Sequence, residues 1–376
     1  MSDGHLVHGM GTALKPPTWP AIAAAEAETI LGRFPAAGRL IDIIWHSPRP
    51  FSAAALIEAE QGTYFLKRHH QKVRSASGLV QEHLYIAHLR AAGLSVTDVM
   101  AMSDGASAIA LGEWTYELHR RAPGIDLYRD RQSWTAFLTL GHAYEAGIAL
   151  ALLHQASNGF SAPARTDQPL VASFTILPAH DPFSAVHAYV AARPALAAWL
   201  GGMPWREEIA RLFVLLGGGL AERLRAQPPL WTHNDWHPSN LLWSAEGKVS
   251  TVIDFGLATR TNALHDLATA LERTAFRWLT LRQGNAVGDL DSALALLAGY
   301  RSIIALTKAD LSTLIRLLPL VHVEFALSEI AYFIDIVGDR DQAAVAWEDY
   351  LVGHADWFLS VSGQDFLHHF ADAAIS

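Results

Sequence analysis

The chain has 376 residues, 51% hydrophobic and 17% charged, so it can bury a sizeable core and is long enough for two lobes. Its formal charge of −9 speaks against nonspecific nucleic-acid binding, which relies on Lys and Arg meeting phosphates. With no cysteine, disulfide frameworks, thiolate zinc sites and cysteine nucleophiles are excluded.

The opening "MSDGHLVHGMGTALKPPTWP" has no basic region followed by an apolar stretch, so no signal peptide is expected. An Ala-rich segment at 20–33 predicts a helix. Strands are expected in "RLIDIIW" (39–45) and in "ALIEAEQGTYFLKRH" (55–69), the latter folding back at Gln61-Gly62. In "SGLVQEHLYIAHLRAAG" (77–93), Leu79, His83, Ile86 and Leu89 follow helical spacing, with Gly93 as a stop. Two or three strands are expected over 97–119, around a Ser-Asp-Gly turn. At "RRAPGIDL" (120–127) the pattern changes to long helical segments, which predicts a sheet-rich lobe at 1–119 and a larger helical lobe at 120–376. The region 160–230 is mostly helical with Pro breaks. The apolar helical run "IARLFVLLGGGLAERL" is interrupted before spanning length, so membrane insertion is not expected and a cytoplasmic protein is.

The stretch "WTHNDWHPSNLLWSAEGKVSTVIDFGLA" (231–258) carries the chemistry. Asp235 and Asn240 stand five residues apart with Pro238 between them, which argues for a loop rather than a helix interior. "LLW" and "VSTVIDFG" predict two short strands joined by "SAEGK", an arrangement that would return Asp254 to the neighbourhood of Asn240. Two oxygen donors then suit a hard cation such as Mg²⁺, which keeps its other positions for water and phosphate. A third polar group, Asp235, is placed to orient an attacking hydroxyl and accept its proton. Taken singly, each of these residues reads as an ordinary turn former.

"HNDWHPSNLLW…VIDFG" resembles the catalytic loop and metal-binding segment of the aminoglycoside phosphotransferase and choline kinase group. The resemblance implies an α+β, bilobal, protein-kinase-like fold with a small antiparallel-sheet lobe and a larger helical one. It implies an enzyme that moves the γ-phosphate of ATP (or GTP) to a hydroxyl of a small molecule. Asp235 is then the catalytic base, and Asn240 and Asp254 are the Mg²⁺ ligands. His237 matches the second His of the pattern. Asn234 stands where the aminoglycoside-type pattern has Gly, a change that Asn tolerates because it can adopt a positive φ. Lys67 in "YFLKRHH" is implied as the lysine on the α and β phosphates, held by Glu82 fifteen residues on. The crossing "YELHRRAPG" resembles the hinge, where main-chain groups of His119 and Arg121 would face the nucleotide base. Asp266 in "HDLA" matches an aspartate that braces the catalytic loop, and His154 a histidine packed beneath it.

For the acceptor, "LVHVEFALSEIAYFIDI" sets His322, Phe325, Glu329 and Tyr332 on one helical face. That stripe reads equally as a pocket wall for an amine or polyol and as a buried Glu–His pair. Trp231 and Trp236 flank the catalytic loop, as packing anchors or as cation–π partners of an ammonium. The loop "WHSPRPFSAAAL" lacks the Gly-x-Gly-x-x-Gly of protein kinases. Only eleven residues separate Asp254 from Asp266, with no Ala-Pro-Glu platform for a peptide, so an atypical protein kinase is disfavoured. A nucleotide-binding pseudokinase is the other alternative, and competent residues at the expected catalytic positions argue against it.

Overall fold

A computed structural model describes residues 5–165, 168–283 and 286–375. The chain separates into two compact units. One comprises Met1–Gly124 with Ser250–Asp254, the other Ile125–Val249 with Phe255–Ser376.

The first unit is mixed. A two-stranded ribbon, β1 (Val7–His8) and β2 (Leu14–Lys15), precedes α1 (Ala24–Leu31). There follow β3 (Leu40–His46), β4 (Ala53–Ala59), β5 (Gly62–His70), α2 (Ala76–Ala91), β6 (Asp98–Val99), β7 (Ala108–Leu111) and β8 (Trp114–Arg120). The sheet is antiparallel in the order β3-β4-β5-β8-β6, with β7 also on β8. The strand alternation expected around residue 61 is realised as a hairpin whose loop is Glu60-Gln61, since Ala59 pairs directly with Gly62. Ile30, Leu31 and Phe34 bury against Ile57, Leu66, Tyr116 and Leu118 of the sheet. A buried polar clamp reinforces this packing: Glu26 of α1 takes Arg68 of β5 at 2.8 Å and the Tyr116 hydroxyl at 2.8 Å. The α2 helix starts where Ser75 accepts the Gly78 amide at 3.0 Å, an N-cap, and it buries Leu79, His83, Ile86 and Leu89 as their spacing predicts.

The unit boundary falls at Gly124, not at 119. β8 runs on to Arg120, Arg121 donates its amide to Thr63, and the Pro123 carbonyl accepts the hydroxyls of Ser250 and Thr251. These bonds tie both 120–124 and 250–254 to the sheet, which composition alone did not indicate.

The second unit is helical, with short strands. It contains α3 (Leu140–Ala156), α4 (Pro182–Ala191), α5 (Pro194–Leu200), α6 (Trp205–Leu216), α7 (Leu220–Arg225), β9 (Leu230–Thr232) and β10 (Leu241–Trp243). β11 (Val249–Val252) crosses into the first unit. Then come β12 (Thr259–Thr261), α8 (Ala263–Thr274), α9 (Leu290–Arg301), α10 (Lys308–Leu317), α11 (Val323–Ala331), α12 (Arg340–Val345), α13 (His354–Leu359) and α14 (Val361–Ile375). Among the described residues, no helix is long and apolar enough to cross a membrane.

Helices α3 and α9 approach closely because each presents a glycine to the other's backbone. A β-carbon on Gly147 would overlap the Leu296 carbonyl, and one on Gly299 the Tyr144 carbonyl. Neither obstacle is a flexible side-chain end that could move aside. Gly147→Ala is therefore expected to cost about 3 kcal/mol through overpacking. A urea-denaturation midpoint unchanged from wild type would show that the helices can separate freely.

Candidate active site

In the first unit, Lys67 on β5 stands directly across the ladder from Glu117 on β8. Its Nζ lies 4.0 Å from Glu117 Oε1 and donates to Asp254 Oδ1 at 3.0 Å. Burial alone would depress the ammonium, but the charges of Asp254, Glu117 and Glu82 outweigh it and hold the amine above its ordinary value. The lysine is thus a fixed cation.

Glu117 is in turn surrounded. His69, His83 and His119 turn their Nε2 atoms to its carboxylate at 3.0, 2.7 and 2.9 Å. Burial would raise this carboxyl; the charge and hydrogen bond of His119 and the bonds of His69 and His83 hold it well below the usual range. Because an ionised carboxylate only accepts, the rings donate from Nε2. Their Nδ1 atoms meet hydroxyls, Ser107 at 2.7 Å for His83 and Thr97 at 3.1 Å for His119. Glu82, buried on α2, acts on Lys67 through its charge, as do Glu117 and Asp254. Sequence reasoning missed Glu117. Its signal was the alternation of "YELH", which places Glu117 and His119 on one face of the strand next to Lys67.

At the expected hinge, the Arg121 amide is engaged by Thr63 at 2.9 Å, inside the sheet. The His119 ring is engaged by Glu117 and Thr97. The Arg121 amide is thus held within the first unit, where the strand runs one residue further than the sequence pattern indicated.

In the second unit, strand β9 leads into the loop His233–His237, and a 3-10 turn at Pro238–Asn240 leads out to β10. One carboxylate organises the loop. Asp266, in the first turn of α8, accepts the amides of His233 at 2.9 Å and Asn234 at 2.7 Å, and His154 Nε2 at 3.0 Å. The Tyr300 hydroxyl meets the other side of the His154 ring at 2.8 Å. Asn234 has φ of 60°, a left-handed conformation that Asn tolerates better than other non-glycine residues. Its side-chain oxygen accepts from Thr232 at 3.0 Å and Thr261 at 3.2 Å, hydroxyls supplied by the paired strands β9 and β12.

The loop delivers Asp235. Asn240 Nδ2 donates to the Asp235 carbonyl at 2.9 Å and to Oδ2 at 3.0 Å. On the other side, Oδ1 forms an ion pair with Arg273 and lies 3.5 Å from His237 Nε2. His237 is itself held by Ser239 at 2.9 Å. Arg273 was not foreseen. It lies seven residues, two turns, after Asp266, so α8 carries both on one face.

Arg273 also lines a small cavity of about 30 Å³, together with Trp134, Glu272, His322, Glu329 and His354. Burial pushes the Arg273 guanidinium down to about 10, and the charge of Glu329 works in the opposite sense. Burial pushes Glu329 up to about 8 and Glu272 up to about 7, and it lowers His322 to about 4. Of the four residues expected on one helical face, His322, Phe325 and Glu329 line this cavity. Tyr332 does not. A π-helical turn begins there, and its buried ring packs on Phe333, with ring centroids 5.2 Å apart. Trp236 is fully buried against His233 and is absent from the lining, which makes it a packing anchor rather than a wall of the pocket.

The chain is similar to several known proteins. Two curated relatives are homoserine kinases. That of Caulobacter sp. is 29% identical over 164 residues, 43% of each chain. That of Caulobacter vibrioides is 25% identical over 247 residues, 65% of this chain and 67% of the relative. The first match thus spans less than half of that relative's length. Among solved structures, the fold is shared with a microcompartment-associated aminopropanol kinase, at TM-score 0.59 and 20% identity over 91% of this chain and 99% of that one. An aminoglycoside phosphotransferase from Alicyclobacillus acidocaldarius matches at TM-score 0.54 and 19% identity, covering 92% and 95%. A family model matches residues 51–304, a span holding Lys67, the loop with Asp235, and Asp254, and the chain belongs to the phosphotransferase enzyme family.

Proposed function

We propose that this protein transfers the γ-phosphate of ATP, or GTP, to the hydroxyl of a small amino alcohol. The observation that carries the reading is the setting of Asp235. A single carboxylate is fixed through its loop by Asp266, gripped by Asn240, and adjoins a cavity of buried polar side chains through Arg273. The oxygen of an acceptor hydroxyl would form the new bond to phosphorus as the bond to the nucleoside diphosphate breaks, and the hydroxyl proton would go to Asp235.

Lys67 would meet the α and β phosphates, with Glu117 and Glu82 keeping it charged. The Asn240 amide nitrogen is engaged by Asp235 through both of its bonds, which leaves its oxygen as the atom suited to a cation. With the carboxylate of Asp254 it would offer oxygen donors alone, as a hard cation requires. Mg²⁺ bound by Asn240 and Asp254 would neutralise the charge of the phosphates. The acceptor class follows the relatives: homoserine and aminopropanol, named for the kinases similar to this chain, are both short amino alcohols. Glu329 and His237 are the residues proposed to meet it.

A phosphate-transfer screen over amino alcohols, sugars, aminoglycosides and a generic protein substrate tests the reading. Transfer to no hydroxyl compound would refute it. Asp254→Ala is expected to abolish the Mg²⁺ dependence of nucleotide binding measured by calorimetry. Binding that still strengthens with Mg²⁺ in that variant would remove Asp254 from the metal set.

A further inference from the structure

Both oxygens of Asp235 are occupied: Oδ2 by Asn240 at 3.0 Å, Oδ1 by Arg273, with His237 at 3.5 Å. A guanidinium on the carboxylate stabilises its ionised form and weakens it as a proton acceptor. The base is therefore capped in this arrangement. Arg273 is buried, with its guanidinium 5.0 Å from the Phe325 ring and 5.9 Å from that of Trp134. Withdrawing Asp235 from it without a substitute would leave the buried guanidinium to Glu329, a carboxyl that burial itself pushes toward its neutral form, which is unfavourable. A neutral or purely cationic acceptor offers no substitute. An acceptor bearing an anion does.

Deeper in the cavity the demand is opposite. His322 Nε2 faces the Leu351 carbonyl at 3.0 Å; a carbonyl only accepts, so Nε2 carries the proton and Nδ1 presents a lone pair. That Nδ1 is buried and has no hydrogen-bond partner. Glu329 lines the same cavity, one helical segment on. Among the described lining residues, Arg273 alone bears a fixed positive charge. The cavity thus offers one site for an anion, next to Asp235, and acceptor atoms for a group rich in N–H.

Resting on the kinase reading above, we propose that Arg273 caps Asp235 in the resting protein and that a hydroxy amino acid removes the cap. The acceptor's carboxylate replaces Asp235 on the guanidinium, while its ammonium is taken by Glu329 and His322 Nδ1. Arg273 is then a positioning residue that couples acceptor recognition to release of the base. Amino alcohols without a carboxylate occupy the cavity but leave the base capped.

Homoserine and 3-aminopropan-1-ol differ only by the carboxylate and provide the test with the full-length protein. Wild type is expected to use homoserine at least ~100-fold better in kcat/KM. Acetate added with 3-aminopropan-1-ol should raise its turnover in wild type, by supplying the anion separately. In Arg273→Gln the preference should fall to within about threefold, with no response to acetate. A merely structural role for Arg273 would lower both rates together. Arg273→Lys, which keeps the charge, should retain a preference for the carboxylate. Equal use of the two acceptors by wild type overturns the proposal while leaving the kinase reading standing, and so does a preference that persists undiminished in Arg273→Gln. Transfer to neither acceptor overturns it too, and the wider hydroxyl screen then decides separately whether the protein is a kinase.

Discussion

Asp235→Asn is expected to lower phosphate transfer by roughly three orders of magnitude, within the range for loss of a positioned proton acceptor. The amide keeps the size and shape of the carboxylate, so Asn240 retains an oxygen to donate to and the loop keeps its bonds to Asp266. What is lost is a group able to take the proton of the acceptor hydroxyl. The substitution also takes from the buried Arg273 the anion it faces, so some loss of stability accompanies the loss of rate. Nucleotide affinity should be retained, because Lys67 and Asp254 are untouched. Single-turnover assays with calorimetry on the same preparation separate these effects. Turnover near wild type in a folded variant would remove Asp235 from the role of base.

Asp266→Ala is expected to be the most destabilising single change in the second unit, at about 3–5 kcal/mol. The carboxylate is fully buried and accepts two loop amides and the His154 ring, so its removal orphans three donors at once. Burial by itself would raise this carboxyl. The His154 bond and charge, the His233 charge and the Asn234 amide outweigh that effect and hold it below the ordinary carboxylate range. A depressed folded-state value means that its stabilisation is complete above the unfolded-state value, about 4. It is lost as the pH falls through the folded-state value below that. The gap between wild type and Asp266→Ala in denaturant midpoint should therefore be full at pH 7 and shrink only below about pH 4. A gap that is constant down to pH 3, or one below 1 kcal/mol at pH 7, would show that the loop does not depend on this charge.

Much of this molecule could be read without coordinates, and the reason is locality. Helix and strand periodicities located α2, β4, β5 and β8 because a half-buried element must repeat its apolar residues at its own period. The loop with Asp235 and Asn240 was legible because its residues lie within one short segment whose backbone is constrained by Pro238. The positive φ of Asn234 fits the resemblance, which has Gly at that position, and Asn is a residue that tolerates it. Even the bracing role of Asp266 showed through the resemblance of "HDLA".

What stayed hidden are the partners of charges. Spacing along the chain points Lys67 to Glu82, whose charge does act on it, and the sheet register adds Glu117 directly opposite, a carboxylate that only strand order brings there. Glu272 and Arg273 sit side by side in "ALERTAF". Both are buried, and they meet different partners, His354 for one and Asp235 for the other. Tyr332 left the expected stripe because the helix widens there to a π turn, a change without a signature in apolar periodicity. Short-range sterics and periodicity are written residue by residue. The electrostatic environment of a buried ion depends on every element packed round it, and so it existed only once the chain had folded.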